Sequence, residues 1–467
     1  MKTDRKMRFE FVDKLEDIVG IEWVVTNREV MQDYLTDETA STVCPKPARD
    51  VILVKPSATQ EISEILKLAN ELKVPVYPRG GGTGLVGGCI PTESGIVLSL
   101  ERMNAVIEID RENLMAVVDA GVTLEKLIEA VDKAGLLFPP HPGDESAQVG
   151  GLVACNAGGA RTVRYGVMRN YIKGIEVVLP TGEILTLGGK LLKDVAGYDL
   201  MHLIIGSEGT LGVITKVVLR LYPKFRETAT LIIPYEDRRE ALETVPRILQ
   251  EGIIPLAIEY VERDLMEKSA KQLGKEWPVK TGKASLLIIV TGNSKEEVYL
   301  YAERIDKISK EYGAIDTFVV ENRRKQDDIL SIRSNIYLIL KPYVMDVLDV
   351  AVSPASMIKL MDALDEIAEE YDMYLPIIGH AGDGNVHPHI LTKKAGGVTK
   401  EDLEKVKKKI YDVTIGLGGT ITAEHGIGKI RIKNLRQCLD DKAIEIMKKI
   451  KKIFDRNNIL NPGTVVP

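Results

Sequence analysis

The sequence predicts an α+β chain in which two domains follow a short helical lead-in. Its 467 residues exceed what one hydrophobic core normally holds, so at least two domains are expected. Short strands separated by glycine-rich loops fill residues 47–224, whereas longer helices alternate with strands over residues 225–467. Because this texture changes near Pro223, we place the domain boundary there.

Residues 1–46 form the lead-in, where Leu15 and Val19 belong to a partly helical apolar spacing. The first domain then opens with a continuous apolar run at 51–54, which is typical of a buried strand. An amphipathic helix with one apolar stripe comes next, and a second strand ends at Tyr77. This order predicts a βαβ-like start for the first domain.

The second domain is predicted to be a sheet covered by helices on one face. Strands are expected at 231–233, 256–258, 286–290 and 347–352, and helices near 238–250, 295–312, 357–371 and 400–414. A final amphipathic helix over 441–456 precedes Asn461. We expect the last roughly 45 residues to pack back on the first domain.

Charge and composition argue against several classes of partner. The formal net charge is −6, whereas nucleic-acid-binding proteins usually carry a basic face. No apolar run approaches the roughly 18 residues of a membrane-spanning helix, and the charged N-terminus lacks the apolar core of a secretory signal. We therefore expect a cytoplasmic protein, and peripheral attachment to the inner face of the membrane stays open.

The loop Pro78-Arg79-Gly80-Gly81-Gly82-Thr83-Gly84 follows the second predicted strand. Consecutive glycines let the backbone approach a ligand closely or adopt positive φ. Their successive N–H groups can form a nest for an anion such as a pyrophosphate. The spacing matches neither Gly-x-Gly-x-x-Gly nor a Walker A loop, and a tight surface turn is the alternative for this loop alone.

Further glycine-rich segments also lie near predicted strand ends. They are 139–144 with 150–159, the turn that ends at Gly166, and 206–215. Unrelated tight turns would have to arise independently at every one of these places. The repeated pattern therefore favours one long ligand that is touched by several loops.

Four of the six histidines lie between positions 380 and 425. His380 and His387 flank a glycine-bracketed turn around Asp383, and the pair Glu424-His425 lies in a second glycine-rich loop. Two histidines with one carboxylate are a recognised ligand set for a divalent metal with open coordination positions. The clustering predicts a metal site, with purely structural histidines as the alternative.

With these motifs identified, residues 45–467 resemble the vanillyl-alcohol-oxidase (PCMH-type) flavoprotein superfamily. The resemblance implies a two-subdomain FAD-binding domain at 47–224 and a FAD-linked oxidase C-terminal substrate domain at 225–467. In that superfamily the first glycine loop binds the FAD pyrophosphate. The residues expected to contact FAD are Pro78, Arg79, Gly80, Gly81, Gly82, Thr83, Gly84, Gly87, Pro142, Gly143, Asp144, Gly150, Gly151, Asn156, Gly158, Gly166, Glu208, Gly209, Ile214 and Asn461.

The C-terminal motifs are similar to those of FAD-linked D-2-hydroxy-acid dehydrogenases. That resemblance implies that His380, His387 and Glu424 bind zinc, manganese or iron, and that His425 is the catalytic base beside the substrate. Arg333 matches an arginine that holds the substrate carboxylate, and a guanidinium suits this role because it binds a carboxylate bidentately. An exposed helix arginine is the alternative for Arg333.

Three departures from the family pattern bear on substrate and cofactor. His389 stands where relatives have Asn near the substrate, so it is expected to bind substrate, add a metal ligand or only form a hydrogen bond. Val347 stands where relatives with a second carboxylate pocket carry Lys, which favours lactate or glycolate over 2-hydroxyglutarate. His141 stands where relatives have Asp, and covalent attachment of the flavin there is left open.

The resemblance implies oxidation of a small D-2-hydroxy acid to the 2-oxo acid. The substrate hydroxyl would lose its proton to His425 with help from the metal, and hydride would pass from Cα to FAD. The histidine motifs argue against an alkyl-dihydroxyacetone-phosphate synthase or a phenol oxidase. A D-2-hydroxyglutarate dehydrogenase and a non-catalytic FAD-binding subunit of a redox complex remain the alternatives.

The electron acceptor is expected to be a separate molecule. The four cysteines form no Cys-x-x-Cys pair, so an iron–sulfur cluster within this chain is not expected. The sequence also lacks the glycine fingerprint of a nicotinamide-binding site. The candidates are an electron-transfer flavoprotein, an iron–sulfur subunit, a quinone or a cytochrome. A homodimer and a hetero-complex are both compatible with the sequence.

Overall fold

The computed structural model describes residues 2–392 and 399–467, with side chains described for 10–391 and 399–467. Helices and sheets are mixed along the whole chain, so the predicted α+β class is confirmed. The elements of the first half are α1 (Lys2–Val19), β1 (Val24–Val25), β2 (Val51–Val54), α2 (Thr59–Leu72), β3 (Val76–Arg79), β4 (Gly95–Ser99), β5 (Val106–Asp110), β6 (Met115–Asp119), α3 (Leu124–Lys133), β7 (Leu136–Leu137), α4 (Val149–Cys155), α5 (Thr162–Tyr165), β8 (Ile172–Val178), β9 (Ile184–Gly188), α6 (Leu200–Ile204), β10 (Val213–Arg220) and β11 (Tyr222–Pro223).

Two sheets carry the first half of the chain. The first has the order β1-β2-β4-β3, in which β2, β3 and β4 run parallel. Every residue of β2 and β4 is buried, which explains why these parallel strands appear as continuous apolar runs. The second sheet is antiparallel, with the order β5-β6-β10-β8-β9. One hydrophobic core joins both sheets to α1, α2, α3 and α4.

A nine-stranded sheet dominates the second half, with the order β15-β12-β14-β13-β19-β20-β16 and with β17 and β18 paired to β20. The elements are β12 (Glu227–Tyr235), α7 (Arg238–Gln250), β13 (Ala257–Glu262), α8 (Arg263–Gln272), β14 (Ala284–Gly292), α9 (Lys295–Glu311), β15 (Phe318–Val320), α10 (Arg323–Ser334), α11 (Ile336–Leu340), β16 (Val344–Val347), β17 (Val350–Ala351), α12 (Met357–Glu370), β18 (Met373–Tyr374), β19 (Ile377–His380), β20 (Asn385–Thr392), α13 (Lys400–Gly416), α14 (Leu435–Cys438) and α15 (Asp441–Phe454).

Helices cover both faces of this sheet, so the expectation of one covered face was wrong. α7, α9, α12 and α13 pack on one face, and α8, α10 and α11 pack on the other. The central strands are apolar on both sides for this reason: Ile288 faces the core under α7, α9, α12 and α13, whereas Leu287 faces the core under α8, α10 and α11. A run that is apolar at every position is typical of a strand buried on both faces, which agrees with the structure and not with one covered face.

Two local expectations also need correction. The predicted strand at 347–352 is two strands, because the chain leaves β16 after Val347 and resumes pairing at Val350. The break contains the buried Asp349, whose carboxylate accepts a hydrogen bond from the His425 amide in a loop further along the chain. The glycine-rich segment that begins at Gly150 is not a loop throughout, since α4 includes both of its first glycines.

The C-terminal segment contacts the first half of the chain. The Val76 amide donates to the Ile459 carbonyl (2.7 Å), and the Asn461 amide donates to the Val76 carbonyl (2.8 Å). Leu460 is fully buried in the first core. The domain limits at 46/47 and 224/225 stay predictions, and these contacts tie β3 to the chain end that follows α15.

Candidate active site

The glycine loop after β3 offers a row of unused backbone donors. Among the residues that the structure describes, no protein acceptor receives a hydrogen bond from the amides of residues 80–84. Gly82 has φ +73°, and a Cβ there would lie 2.1 Å from the Arg79 guanidinium. A Cβ on Gly81 would lie 2.9 Å from the Ser146 carbonyl oxygen. The loop therefore needs glycine, and its free amides suit an anionic ligand.

A second wall faces this loop. A Cβ on Gly80 would lie 3.7 Å from Gln148 Oε1, a buried oxygen that has no hydrogen-bond partner among the described residues. Gly143 and Gly151 border open space, with nothing within 4 Å of an added Cβ. Asp144 caps its own turn by accepting from the Ser146 amide (2.8 Å). Gly80 lies beside Gly151, and Gly81 lies beside Ser146 and Ala147, so the first glycine loop and the segment at 146–151 border the same space, here called the groove.

Several residues predicted to contact the cofactor also form hydrogen bonds that hold the protein's own loops. The Arg79 guanidinium donates to the Thr36 and Asp33 carbonyls (2.7 and 2.6 Å). The Gly87 amide donates to the Thr39 hydroxyl, and the Gly150 amide donates to the Ala120 carbonyl (both 2.7 Å). Each of these contacts fixes a loop beneath or beside the groove.

The remaining predicted cofactor residues are mainly turn and packing positions. Gly166 (φ +74°) packs against Asn170, Gly209 (φ +69°) packs on Pro78, and Ile214 is buried in the core. Pro142 is buried, and a Cβ on Gly159 would lie 3.1 Å from its Cα. Asn156 has φ +52° at the end of α4, and its side-chain oxygen accepts from the Arg169 amide (2.9 Å). Whether any of them touches FAD stays a prediction.

Glu208 and Asn461 belong to a buried network that joins the two halves of the chain. The Glu208 carboxylate accepts from the amides of Ile427 and Gly428 (both 2.8 Å). Asn461 donates to the Gly88 and Glu208 carbonyls (3.0 and 2.8 Å). Burial raises the pKa of Glu208, and these two amide donors act in the opposite direction. This network fixes the loop that carries Glu424 and His425 against the groove.

Three histidine rings converge on Glu424. The Nε2 atoms of His380, His387 and His425 lie 3.7, 3.3 and 3.8 Å from Glu424 Oε1. Metal bonds of about 2.1 Å in a tetrahedral arrangement place ligand atoms about 3.4 Å apart, so these separations fit a shared cation. The predicted ligands His380, His387 and Glu424 are thus brought together, and their role as ligands stays a prediction.

Strand geometry explains why the histidines meet. Alternate residues of a strand face the same side of a sheet. In β20, His387 and His389 share one face, whereas Val386 and Ile390 point into the opposite core. Neighbouring β19 pairs His380 with Asn385 and Ile378 with His387, which places the His380 ring 5.4 Å from the His387 ring.

Asp349 is a site residue that the sequence did not reveal. One ligand atom from each of Asp349, His387, Glu424 and His425 lies within 4.8 Å of the others. Its Oδ2 atom, however, already accepts from the amides of Ala423, Glu424 and His425 at 2.8, 2.8 and 2.7 Å. We therefore assign Asp349 to holding the Glu424–His425 loop, since its lone pairs are committed to backbone donors.

The electrostatics of the cluster favour an ionised Glu424 and a neutral His425. Burial opposes ionisation of Glu424, but His380 and His387 outweigh it and hold its pKa well below the usual value. Burial lowers the pKa of His425, and Asp349 only partly offsets this. The His425 ring stacks on that of His387 with centroids 5.0 Å apart. A neutral imidazole in this position can accept a proton.

Arg333 reaches the site through another residue that the sequence did not reveal, Glu259. Its guanidinium forms an ion pair with Glu259, whose other oxygen lies 2.5 Å from His380 Nδ1. Burial raises the pKa of Glu259, but Arg333 and His380 outweigh it and lower the pKa overall. Arg333 Nη2 is the atom that pairs with Glu259, whereas Arg333 Nε is buried without a hydrogen bond among the described residues.

His389 and His141 differ sharply in their surroundings. His389 is buried, its Nδ1 lies 2.8 Å from the His387 carbonyl oxygen, and burial lowers its pKa to about 3. Its ring lies 6.1 Å from that of Tyr337, and Val347 is its cross-strand neighbour. His141, by contrast, is part-exposed and pairs with Glu145 at 2.9 Å.

The two halves of the chain match known families. A family model described as FAD linked oxidases, C-terminal domain, matches residues 224–465, and one described as FAD binding domain matches residues 51–188. The D-lactate dehydrogenase of Archaeoglobus fulgidus is 44% identical over 433 residues, which are 93% of this chain and 95% of that protein. The chain belongs to the FAD-linked oxidase family. The family resemblance predicted from the sequence is therefore confirmed.

Two further similarities place this FAD-linked oxidase more broadly. The glycolate oxidase subunit GlcD of Bacillus subtilis is 38% identical, and the match covers 88% of each chain. The structure of 4-ethylphenol oxidase from Gulosibacter chungangensis aligns with a TM-score of 0.78 at 19% identity, covering 99% of this chain and 98% of that one. The latter similarity concerns the fold alone.

FAD is the cofactor of this FAD-linked oxidase, and the groove fits it. The free amides of residues 80–84 suit the pyrophosphate, and the orphaned Gln148 oxygen faces the same space. Ser207 Oγ is a second buried polar atom without a partner among the described residues. Gly158, another residue predicted to contact FAD, borders the histidine cluster, because a Cβ on it would lie 2.9 Å from Glu424 Oε2. No helix in the described part of the chain is long and apolar enough to cross a membrane.

Proposed function

We propose that this FAD-linked oxidase converts a small D-2-hydroxy acid, lactate or glycolate, into the corresponding 2-oxo acid. The observation that carries the proposal is the meeting of three histidine Nε2 atoms within 3.8 Å of Glu424 Oε1, beside Gly158. Relatives named D-lactate dehydrogenase, at 44% and 36% identity, support the same substrate class.

The residues of the cluster divide into binding and proton-transfer roles. His380, His387 and Glu424 would hold a divalent metal, whose Lewis acidity lowers the pKa of a bound hydroxyl group. Neutral His425 would accept the hydroxyl proton at Nε2, the atom that lies 3.8 Å from Glu424 and within the space that the ligands share. FAD supplies the hydride acceptor.

Arg333 would bind the substrate carboxylate. Its guanidinium Nε is buried without a hydrogen-bond partner in the described residues, and a planar fork of donors suits a carboxylate. Val347 lies across the strand pair from His389 and offers an aliphatic side chain beside it. A second carboxylate would meet the aliphatic Val347 there, which supports a monocarboxylate substrate.

A buried neutral His389 would complete the pocket as a hydrogen-bonding residue. Its Nδ1 is engaged by the His387 carbonyl, which leaves Nε2 as the atom available to the substrate. The reduced flavin would then pass electrons to a separate acceptor, for which a flavoprotein, an iron–sulfur subunit, a quinone and a cytochrome are the candidates.

Anaerobic titration of the FAD-loaded protein tests the proposal. D-lactate, L-lactate, glycolate and D-2-hydroxyglutarate are added in turn while flavin absorbance is recorded. The proposal expects bleaching by D-lactate or glycolate, and much weaker bleaching by the L-isomer and by D-2-hydroxyglutarate. Fast bleaching by L-lactate, or bleaching only by D-2-hydroxyglutarate, would contradict the assigned substrate class.

A further inference from the structure

Glu259 is a carboxylate in the middle of a buried strand. It lies in β13, between the apolar residues Ile258 and Tyr260, and only 3% of it is exposed. An ionised carboxylate is rarely buried unless it is paired, because leaving water costs several kcal/mol. Glu259 therefore needs partners of opposite charge, and the structure supplies two.

The two oxygens of Glu259 serve different parts of the site. Oε1 lies 2.5 Å from His380 Nδ1, and Oε2 forms the ion pair with Arg333. When an imidazole donates its Nδ1 proton to a carboxylate, Nε2 is the nitrogen left for a metal, and the hydrogen bond fixes the direction in which it points. Here that direction is toward Glu424, since His380 Nε2 lies 3.7 Å from Glu424 Oε1.

The sheet makes this arrangement rigid. β13 is an interior strand, hydrogen-bonded to β14 on one side and to β19 on the other. His380 ends β19, and Arg333 projects from α10, which packs on the same face of the sheet. One carboxylate on a fixed strand thus contacts two groups that arrive from separate elements.

We propose that Glu259 is a positioning residue that fixes the metal ligand His380 and the carboxylate-binding Arg333 relative to each other. The Arg333 half of this proposal rests on the proposed function, whereas the His380 half concerns metal binding alone. A substrate bound by both the metal and Arg333 requires a set distance between them, and effective catalysis is sensitive to errors of about 1 Å in such distances.

The test uses full-length, FAD-loaded protein with four variants: Glu259→Ala, Glu259→Gln, Arg333→Ala and the double variant Glu259→Ala/Arg333→Ala. Glu262→Gln is the control, because Glu262 lies in the same strand and no contact of it with His380 or Arg333 is found in the described chain. Two quantities are measured: the Zn²⁺ affinity of stripped protein by chelator competition without substrate, and kcat and KM for D-lactate with an artificial acceptor. Retained flavin absorbance and an unchanged melting curve identify variants that fold.

Glu259→Ala should weaken Zn²⁺ binding by about 10- to 100-fold and raise KM for D-lactate by about tenfold or more. Glu259→Gln should restore most of the Zn²⁺ affinity, since an amide oxygen still accepts from His380 Nδ1. Its KM should remain raised, because a neutral amide does not pair with the Arg333 guanidinium. In the Arg333→Ala background, Glu259→Ala should weaken Zn²⁺ binding by the same factor without raising KM further.

Three results would overturn the proposal: wild-type Zn²⁺ affinity in folded Glu259→Ala, multiplicative KM effects in the double variant, or equal losses in Glu262→Gln. If the wild-type protein oxidises no D-2-hydroxy acid, the proposed function fails separately. The Zn²⁺ measurements would still decide whether Glu259 orients His380.

Discussion

The variant Asp349→Asn removes the negative charge from the anchor of the loop that carries Glu424 and His425. Asp349 Oδ2 accepts from four donors, which are the amides of residues 423–425 and the Thr422 hydroxyl. Its Oδ1 accepts from the Asn385 side-chain amide at 2.9 Å. In the variant, the new amide nitrogen must face either the four donors at the Oδ2 position or the Asn385 side-chain amide at the Oδ1 position.

The magnitude follows from the hydrogen bonds that lose their charge. A hydrogen bond to a charged group contributes about 1.5–3 kcal/mol and a neutral one about 1 kcal/mol. Losing the charge at four donors therefore costs about 4 kcal/mol, before any repulsion between the new side-chain amide and that of Asn385 is counted. This cost falls on the local stability of the loop at 422–428, which is also held from the other side by Glu208.

Hydrogen exchange measures this local stability directly. A loss of about 4 kcal/mol should raise the exchange rates of the amides of residues 423–425 by about 10³-fold, and the protein should lose bound metal on gel filtration. Asp455→Asn is the matched control, because Asp455 also accepts consecutive amides, those of Ile459 and Leu460, away from the histidines. Unchanged exchange at 423–425 with full metal retention in Asp349→Asn would refute the anchoring role.

The remaining predictions concern the base, the cofactor loop and one buried lysine. His425→Ala should keep FAD bound and slow flavin bleaching by D-lactate by about 10²–10⁴-fold, measured by anaerobic stopped flow; bleaching at the wild-type rate would remove His425 from the mechanism. Gly82→Ala should weaken FAD binding, because a Cβ would lie 2.1 Å from the Arg79 guanidinium and displace it beside the loop, whereas Gly135→Ala, with a similar φ of +74° but open space, should retain it; equal FAD content in both would contradict the assigned loop. Burial lowers the pKa of Lys429 to about 8, so the unfolded chain binds the extra proton between pH 8 and 10.5 and this lysine's contribution to stability increases as pH rises through that window. Denaturant unfolding at pH 8 and pH 10 should show wild type gaining on Lys429→Met by about 2 kcal/mol, and a constant difference would contradict the lowered pKa.

Glycine and histidine motifs made the cofactor groove and the cluster predictable. Three consecutive glycines after a strand are costly unless the backbone needs them, and Gly81 and Gly82 turn out to lie where a Cβ would clash. His380 and His387 come together because two adjacent strands pair directly across a short turn. Spacing along a hairpin is a local property, and it can therefore be predicted from the sequence.

The contacts that organise the site were not predictable in the same way. Glu259 and Asp349 come from segments that lie 121 and 36 residues before their partners His380 and Asn385, and pairing across such distances depends on the order of strands in the sheet. A signal was present, however, because both carboxylates interrupt otherwise apolar runs. A charge within a buried strand run is costly, so the sequence alone indicates that each carboxylate has a partner without indicating which residue it is.

The covered faces of the large sheet illustrate the same limit. Residues 286–290 are apolar at every position, which fits a strand that is buried on both faces as well as other buried segments. Helices α8 and α10 lie in polar stretches whose apolar faces are sparse, and so the second helical layer escaped prediction. Their few buried residues, such as Met266 and Ile332, are sufficient to pack on the sheet.

The central claim is that the histidine cluster and the FAD groove form one metal-dependent site for D-2-hydroxy acids. The most direct test compares anaerobic flavin bleaching by D-lactate in three samples of one preparation: as purified, stripped with a chelator, and reloaded with Zn²⁺ or Mn²⁺. Stripping should leave FAD in place and slow bleaching by at least about 100-fold. Reloading with metal should restore the original bleaching rate. Bleaching at an undiminished rate in the stripped, metal-free protein would contradict the account.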